Sequence, residues 1–331
     1  MGSRLAGSAG RAAAITLLVT GLLAASGTLA GGQGAQSDGR GSLATPAQRA
    51  LPRVLAGVTA DDVSDLGGLV ARSRHLPVMP ATRLYFDVTL PPRAYAAAVR
   101  ALHPVSYLMG ELLDSSDETS ITTAAYKRRV SAYLAAFGPA IDIWEIGNEV
   151  NGDWTGPYPV VAAKLTTAYR LVAARHLRTA LTLYENAGCG DGAGELSPLA
   201  FSRKYVPASV RDGLSYVFLS YYEDQCGGRR PSARTWTTVF RSLHALYPRA
   251  RVGFGEIGLD NPVTKGTIGA ARSLVRYYYG LPVRLPYYVG GYFWWYYAED
   301  CLPYATRPLW RAIESGFLAE RAVQRSLPPD G

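Results

Sequence analysis

Between Val54 and Phe317, short apolar runs rich in β-forming residues alternate eight times with stretches of helical periodicity. This alternation limits the fold more than any other feature, because each apolar run needs a cover and each amphipathic run needs a surface to cover. The runs begin at VLAGVTA (54–60), RLYFDVTL (83–90), VSYLMGELL (105–113), IDIWEIGNEV (141–150), ALTLYEN (180–186), LSYVFLSYY (214–222), RVGFGEIG (251–258) and GGYFWWYYAED (290–300). Between them, residues recur at helical spacing: Tyr126, Val130, Tyr133 and Phe137, then Val161, Leu165, Ala168 and Val172, then Trp236, Phe240, Leu243 and Tyr247. Strands with few polar residues before their last positions fit a parallel sheet covered by helices. Eight units in about 265 residues match a (β/α)8 TIM barrel forming a single domain. The competitor is a doubly wound open sheet, which usually carries a Gly-rich phosphate loop after its first strand. VTADDVSD follows the first strand here, and its acids would repel a phosphate.

Residues 1–30 read as a signal peptide: Arg4 and Arg11 precede the apolar run AAAITLLVTGLLAA and a small-residue end. A retained N-terminal anchor is the alternative, although the run is short for a membrane span. Residues 31–52 read as a flexible linker, 53–318 as the barrel and 319–331 as a tail. Net charge is +8, with Arg scattered along the chain rather than clustered on one helix face, which argues against nucleic acid as a partner. The His residues (75, 103, 176, 244) neighbour no candidate nucleophile, and Cys189, Cys226 and Cys301 have no zinc spacing. An exported chain with three Cys is expected to hold one disulfide and one free thiol. Cys189–Cys226 would join the loops after adjacent strands five and six, whereas Cys226–Cys301 would reach past strand seven; the first is preferred.

The catalytic face of such a barrel is built from strand C-terminal ends and the loops that follow. Polar and aromatic residues collect there: Asn148-Glu149, then Asn151, Asp153 and Trp154, after strand four; Glu185-Asn186 after strand five; Tyr221-Tyr222-Glu223-Asp224 after strand six; Glu256 after strand seven; Trp294-Trp295 and Glu299-Asp300 after strand eight. Glu149 and Glu256, at the tips of strands across the barrel from each other, can bracket a glycosidic bond, one as proton donor and one as nucleophile. Glu145, deeper on strand four, reads as a buried partner for an Arg, Arg83 being a candidate. Trp154 and Tyr158 are candidates for stacking on sugar faces, or for anchoring their loop.

These motifs resemble those of the clan A, or four-seven, glycoside hydrolases, which are retaining (β/α)8 enzymes. WEIGNE is similar to their fourth-strand motif, which implies Glu149 as acid/base and Asn148 as a donor to the sugar 2-hydroxyl. GFGEIG resembles the seventh-strand motif and implies Glu256 as nucleophile. SYY is similar to the sixth-strand His-x-Tyr, with Ser220 at the His position; it implies Tyr222, or else Tyr221, as hydrogen-bond partner of the nucleophile. GYFWW implies Trp295, or else Trp294, as the floor of the sugar site, and TRLYFD implies Arg83 beside the nucleophile. Asn151, Trp154 and Glu299 complete the expected substrate-binding set. The implied protein is a secreted, monomeric enzyme acting on a β-linked oligosaccharide or polysaccharide, with no cofactor and no metal. The rivals are an inverting glycosidase and a non-catalytic carbohydrate-binding barrel. An aldolase or phosphate-handling barrel would want a strand-end Lys or a Gly-rich loop, and the chain offers neither.

Overall fold

The computed structural model describes residues 48–325 apart from 186–188, 190–194, 260–261, 263–264 and 305. The signal-peptide reading, most of the expected linker and Asn186 therefore lie outside the described residues. Eight parallel strands pair in sequence order and close: β1 (Leu55–Ala60), β2 (Ala81–Tyr85), β3 (Tyr107–Glu111), β4 (Ile143–Glu145), β5 (Thr179–Tyr184), β6 (Tyr216–Tyr221), β7 (Arg251–Ile257) and β8 (Tyr288–Trp294). The fold is a (β/α)8 TIM barrel. Its helices are α1 (Leu66–His75), α2 (Ala96–Leu102), α3 (Thr123–Phe137), α4 (Tyr158–Ala173), α5 (Pro198–Tyr205), α6 (Ala208–Arg211), α7 (Ala233–Leu246), α8 (Ile268–Tyr279), α9 (Tyr297–Cys301) and α10 (Trp310–Arg325).

The expected periodicities become the buried faces. Tyr126, Val130, Tyr133 and Phe137 of α3, and Val161, Leu165, Ala168 and Val172 of α4, pack into the layer between barrel and helices. Helix boundaries follow local chemistry. Thr122 caps α3 by accepting from the Ala125 N–H, and Gly138, at φ +38°, ends it in a conformation that side chains resist. Two boundaries differ from the expectation. Strand eight stops at Trp294, so Glu299 and Asp300 belong to α9 rather than to a strand end. The last helix continues to Arg325, through much of the segment expected as a tail.

Strand alternation sorts the barrel interior into layers. Ala81, Met109, Ile143, Ala180 and Phe218 form part of an apolar plug. Two residues further along the same strands stand Arg83, Glu111, Glu145, Thr182 and Ser220, all buried and all polar or charged. Register sets Glu111 beside Glu145 and Ser220 beside Glu256. A bulge on the β6–β7 ladder takes up Gly255, which lies against Thr182 and Phe218 so closely that a Cβ would meet Thr182 Oγ1 at 2.6 Å and Phe218 Cβ at 2.7 Å. The polar layer thus lies on top of the plug, at the end of the barrel where strands finish.

Candidate active site

Glu149 lies just past β4, with φ at +44°. A side-chain-bearing residue held there stores about 1–2 kcal/mol of backbone strain, which the surrounding contacts must overcome. Those contacts fix both carboxyl oxygens: the Ser115 hydroxyl donates to Oε2 (2.9 Å) and the Ser220 hydroxyl to Oε1. Burial, and next the nearby Glu256, push the Glu149 carboxyl up to about 8, while the two serine hydroxyls act in the opposite direction. At neutral pH Glu149 therefore carries its proton. Ser220, which stands where the resembled motif has a His, holds Glu149 directly.

Glu256 has a different environment. Arg83 Nη1 donates to its Oε2 (2.7 Å), Asn148 Nδ2 to the same oxygen (3.2 Å), and Tyr222 OH to Oε1 (2.6 Å). Burial raises its pKa, whereas the Arg83 charge and the Tyr222 hydrogen bond favour the anion. Asn148 is itself oriented, because its Oδ1 accepts from the Ser115 N–H (3.0 Å) and its NH2 must then face Glu256. Ser115 thereby touches both halves of the pair. Glu149 and Glu256 keep 8% and 5% of their surface exposed, whereas Arg83, Glu111 and Glu145 beneath them have 0–1%. The pair thus lies nearer the solvent than the layer below it.

Arg83 organises the layer below. Its Nε and Nη2 donate to Glu145 (2.6 and 3.2 Å), and Nη2 also stands 3.0 Å from Glu111 Oε1. Thr182 also donates to Glu145, at the Oε1 that accepts from Arg83 Nη2. One buried guanidinium therefore faces Glu111, Glu145 and Glu256. Among the described residues no hydrogen bond reaches either Glu111 oxygen, and burial pushes its pKa well above the ordinary carboxylate range even with Arg83 beside it. Burial thus favours the neutral form of Glu111, against the pull of the Arg83 charge. The Arg83 guanidinium lies 5.1 Å from the ring centroid of Trp295, which meets Tyr85 edge-on at 6.2 Å.

The two members of each aromatic pair lie in different places. Tyr222 meets Glu256, whereas Tyr221 points into the helical layer against Trp236 and donates to the Arg229 carbonyl. Trp295 stands by Arg83, whereas Trp294 is fully buried and donates from Nε1 to Asp300 (2.8 Å). Four successive β8 residues, Gly290 to Phe293, have positive φ, so inside–outside alternation does not carry through this strand.

Other expected substrate contacts are engaged elsewhere. Asn151 Nδ2 donates to the carbonyls of Tyr184 and Leu196, and its Oδ1 accepts from the Tyr184 N–H; this buried amide ties the loop after β4 to the end of β5. Asn151 is thus a structural staple rather than a free polar group. Tyr158 donates to the Asn151 carbonyl and packs against Phe201 and Tyr205. Glu299 is exposed on α9 and hydrogen-bonds Asp61. Glu223 pairs with Arg230 and accepts from Tyr278. Trp154 is 40% exposed, edge-on to Tyr184, and remains open to a ligand. Cys189 and Cys226 form the disulfide, tying the loops after β5 and β6, and Cys301 is free and buried. Ser115, Thr182 and Glu111 escape sequence reasoning, since isolated polar residues near a strand end carry no motif. Among the described residues no group of three or more His, Cys, Asp or Glu could hold a metal, and no helix is long and apolar enough to cross a membrane.

No protein-family model matches the chain, and no curated protein matches it in sequence. Its fold is similar to that of a GH5-4 broad-specificity endoglucanase from an uncultured bacterium, with TM-score 0.53 and 14% identity over 78% of this chain and 86% of that one. It is also similar to a Bacteroidetes-affiliated GH5 cellulase linked with a polysaccharide utilization locus, with TM-score 0.51 and 11% identity over 82% of this chain and 86% of that one. At such identities the likeness is one of fold.

Proposed function

We propose that the chain is an exported retaining glycoside hydrolase acting on a β-linked oligosaccharide or polysaccharide. The observation that carries this reading is the unequal treatment of two neighbouring carboxyls: Glu149 is held neutral by burial, and Glu256 is surrounded by Arg83, Asn148 and Tyr222 as donors. An acid and an anion opposed in this way are what double displacement requires. Glu256 attacks the anomeric carbon while Glu149 gives its proton to the departing oxygen. An ester forms between sugar and Glu256. Glu149, now a carboxylate, takes a proton from water as that water opens the ester. Asn148 is poised to donate to the 2-hydroxyl, and Trp295 provides the floor. The signal-peptide reading of residues 1–30 and the Cys189–Cys226 disulfide support export. The endoglucanase and cellulase among the structural relatives point to the β-glycan class.

The test is hydrolysis of a panel of β-linked polysaccharides and aryl glycosides by the wild type, Glu149→Ala and Glu256→Ala. With an activated leaving group and added azide, Glu149→Ala should release a β-glycosyl azide of retained configuration and Glu256→Ala an inverted one. A wild type whose first-formed sugar product is inverted would replace this reading by single displacement.

A further inference from the structure

A groove of about 470 Å³ lies between α8 and α10 in the outer helical layer, lined by Arg272, Arg276, Arg307 and Arg311 together with Pro308 and Trp310. A second, of about 690 Å³, lies where α7 begins beside α8; it shares Arg276 and adds Arg230 and Tyr277. No Asp or Glu lines either groove. All four arginines of the first groove are exposed. Arg272 donates to the Pro308 carbonyl and Arg307 to that of Leu302, which leaves other N–H groups of each free. The side chains of Arg276 and Arg311 make no hydrogen bond or ion pair among the described residues.

A surface shaped only for solubility would not be built in this way. Arg272 and Arg276 are four apart on one helix, where like charges cost about 0.2–0.5 kcal/mol per pair. Arg307 and Arg311 flank the start of α10, the positive end of its dipole, where acids are favoured; its first turn holds none. Both penalties vanish when an anion occupies the groove. The arginine fork matches a planar carboxylate, and the groove is within the size range of ligand sites, about 300–1,000 Å³. The two helices of the groove follow the strands that lead to the candidate site. α8 follows β7, which carries Glu256, and α10 follows β8, which leads to Trp295.

We infer that this groove binds the carboxylate-bearing residues of an acidic polysaccharide, a polyuronate strand, and so holds an acidic glycan beside the active end of the barrel. That the ligand is a polysaccharide and a substrate rests on the glycosidase reading; that the groove takes a polycarboxylate does not. Affinity electrophoresis and calorimetry with polygalacturonate, dextran and polyphosphate test the inference without any turnover. The expected result is binding to polygalacturonate that weakens with salt, and none to dextran. The double variant Arg276→Gln/Arg311→Gln should weaken polygalacturonate binding by at least about tenfold. Arg100→Gln/Arg128→Gln, which removes two exposed arginines from other helices and gives the same net charge, should leave it within about twofold. Equal losses in both double variants would reduce the effect to overall charge and overturn the inference, as would absence of binding or preference for polyphosphate. Groove-dependent binding by a wild type inactive on every glycan upholds this inference and defeats the hydrolase reading. Hydrolysis without groove-dependent binding does the reverse.

Discussion

At the scale of single residues, the pair Glu149 and Glu256 decides how the protein responds to pH. With Glu149 pushed up to about 8, kcat/KM should fall as pH rises through that value, because the proton donor is lost; its pH profile on an aryl glycoside checks this. Tyr222→Phe removes the 2.6 Å hydrogen bond to Glu256 that favours the anion. The acidic limb should therefore move to higher pH and kcat drop by about 10–100-fold, with KM little changed. Arg83→Met would strand the buried carboxylates it serves and should cost roughly 3–5 kcal/mol in chemical denaturation. Glu111→Gln puts a neutral amide of the same shape where burial favours the neutral acid, and should keep kcat/KM within about threefold and leave the acidic limb in place. A limb displaced by a full unit would mean that Glu111 is ionised.

At the scale of elements, strand ends store the instability that chemistry needs. Glu149 combines positive φ with a carboxyl whose folded pKa is raised above its unfolded value of 4.5, so the folded state holds a proton that the unfolded state releases between pH 4.5 and about 8. Stability from this group is fully present below the lower value and is lost as pH rises to the upper one, at about 1.4 kcal/mol per unit. Glu149→Gln should therefore resemble the wild type in melting temperature near pH 4.5 and exceed it by several degrees at pH 8, by differential scanning calorimetry. What the sequence reveals follows from the same strand ends. Asn148-Glu149 and Glu256 are legible because polar residues closing an apolar run stand out in sequence, even though a positive φ at Glu149 and a bulge before Glu256 break strict alternation. Trp295 over Trp294 is not, because four positive φ angles disturb the alternation in β8. Asn151 looks like a ligand group in sequence, and only the distance from its amide to Tyr184 and Leu196 reveals a staple.

At the scale of the whole molecule, the barrel was readable because eight apolar runs and their amphipathic covers are each local patterns. Ser115, Thr182 and Glu111 meet their partners only when distant segments close into a ring, so no local pattern announces them. The Cys189–Cys226 bridge links residues 37 apart, and its removal by Cys189→Ser/Cys226→Ser should cost about 2–4 kcal/mol in denaturant unfolding. In the proposed mechanism the ring of strands brings one anionic and one neutral carboxyl to opposite sides of an acetal. It is tested most directly by trapping the covalent intermediate with a 2-deoxy-2-fluoro β-glycoside bearing a good leaving group, followed by peptide mass spectrometry. One sugar per chain is expected on the peptide that contains Glu256, with labelling abolished in Glu256→Gln. A label on Glu149, or an active enzyme that never acquires one, would contradict it.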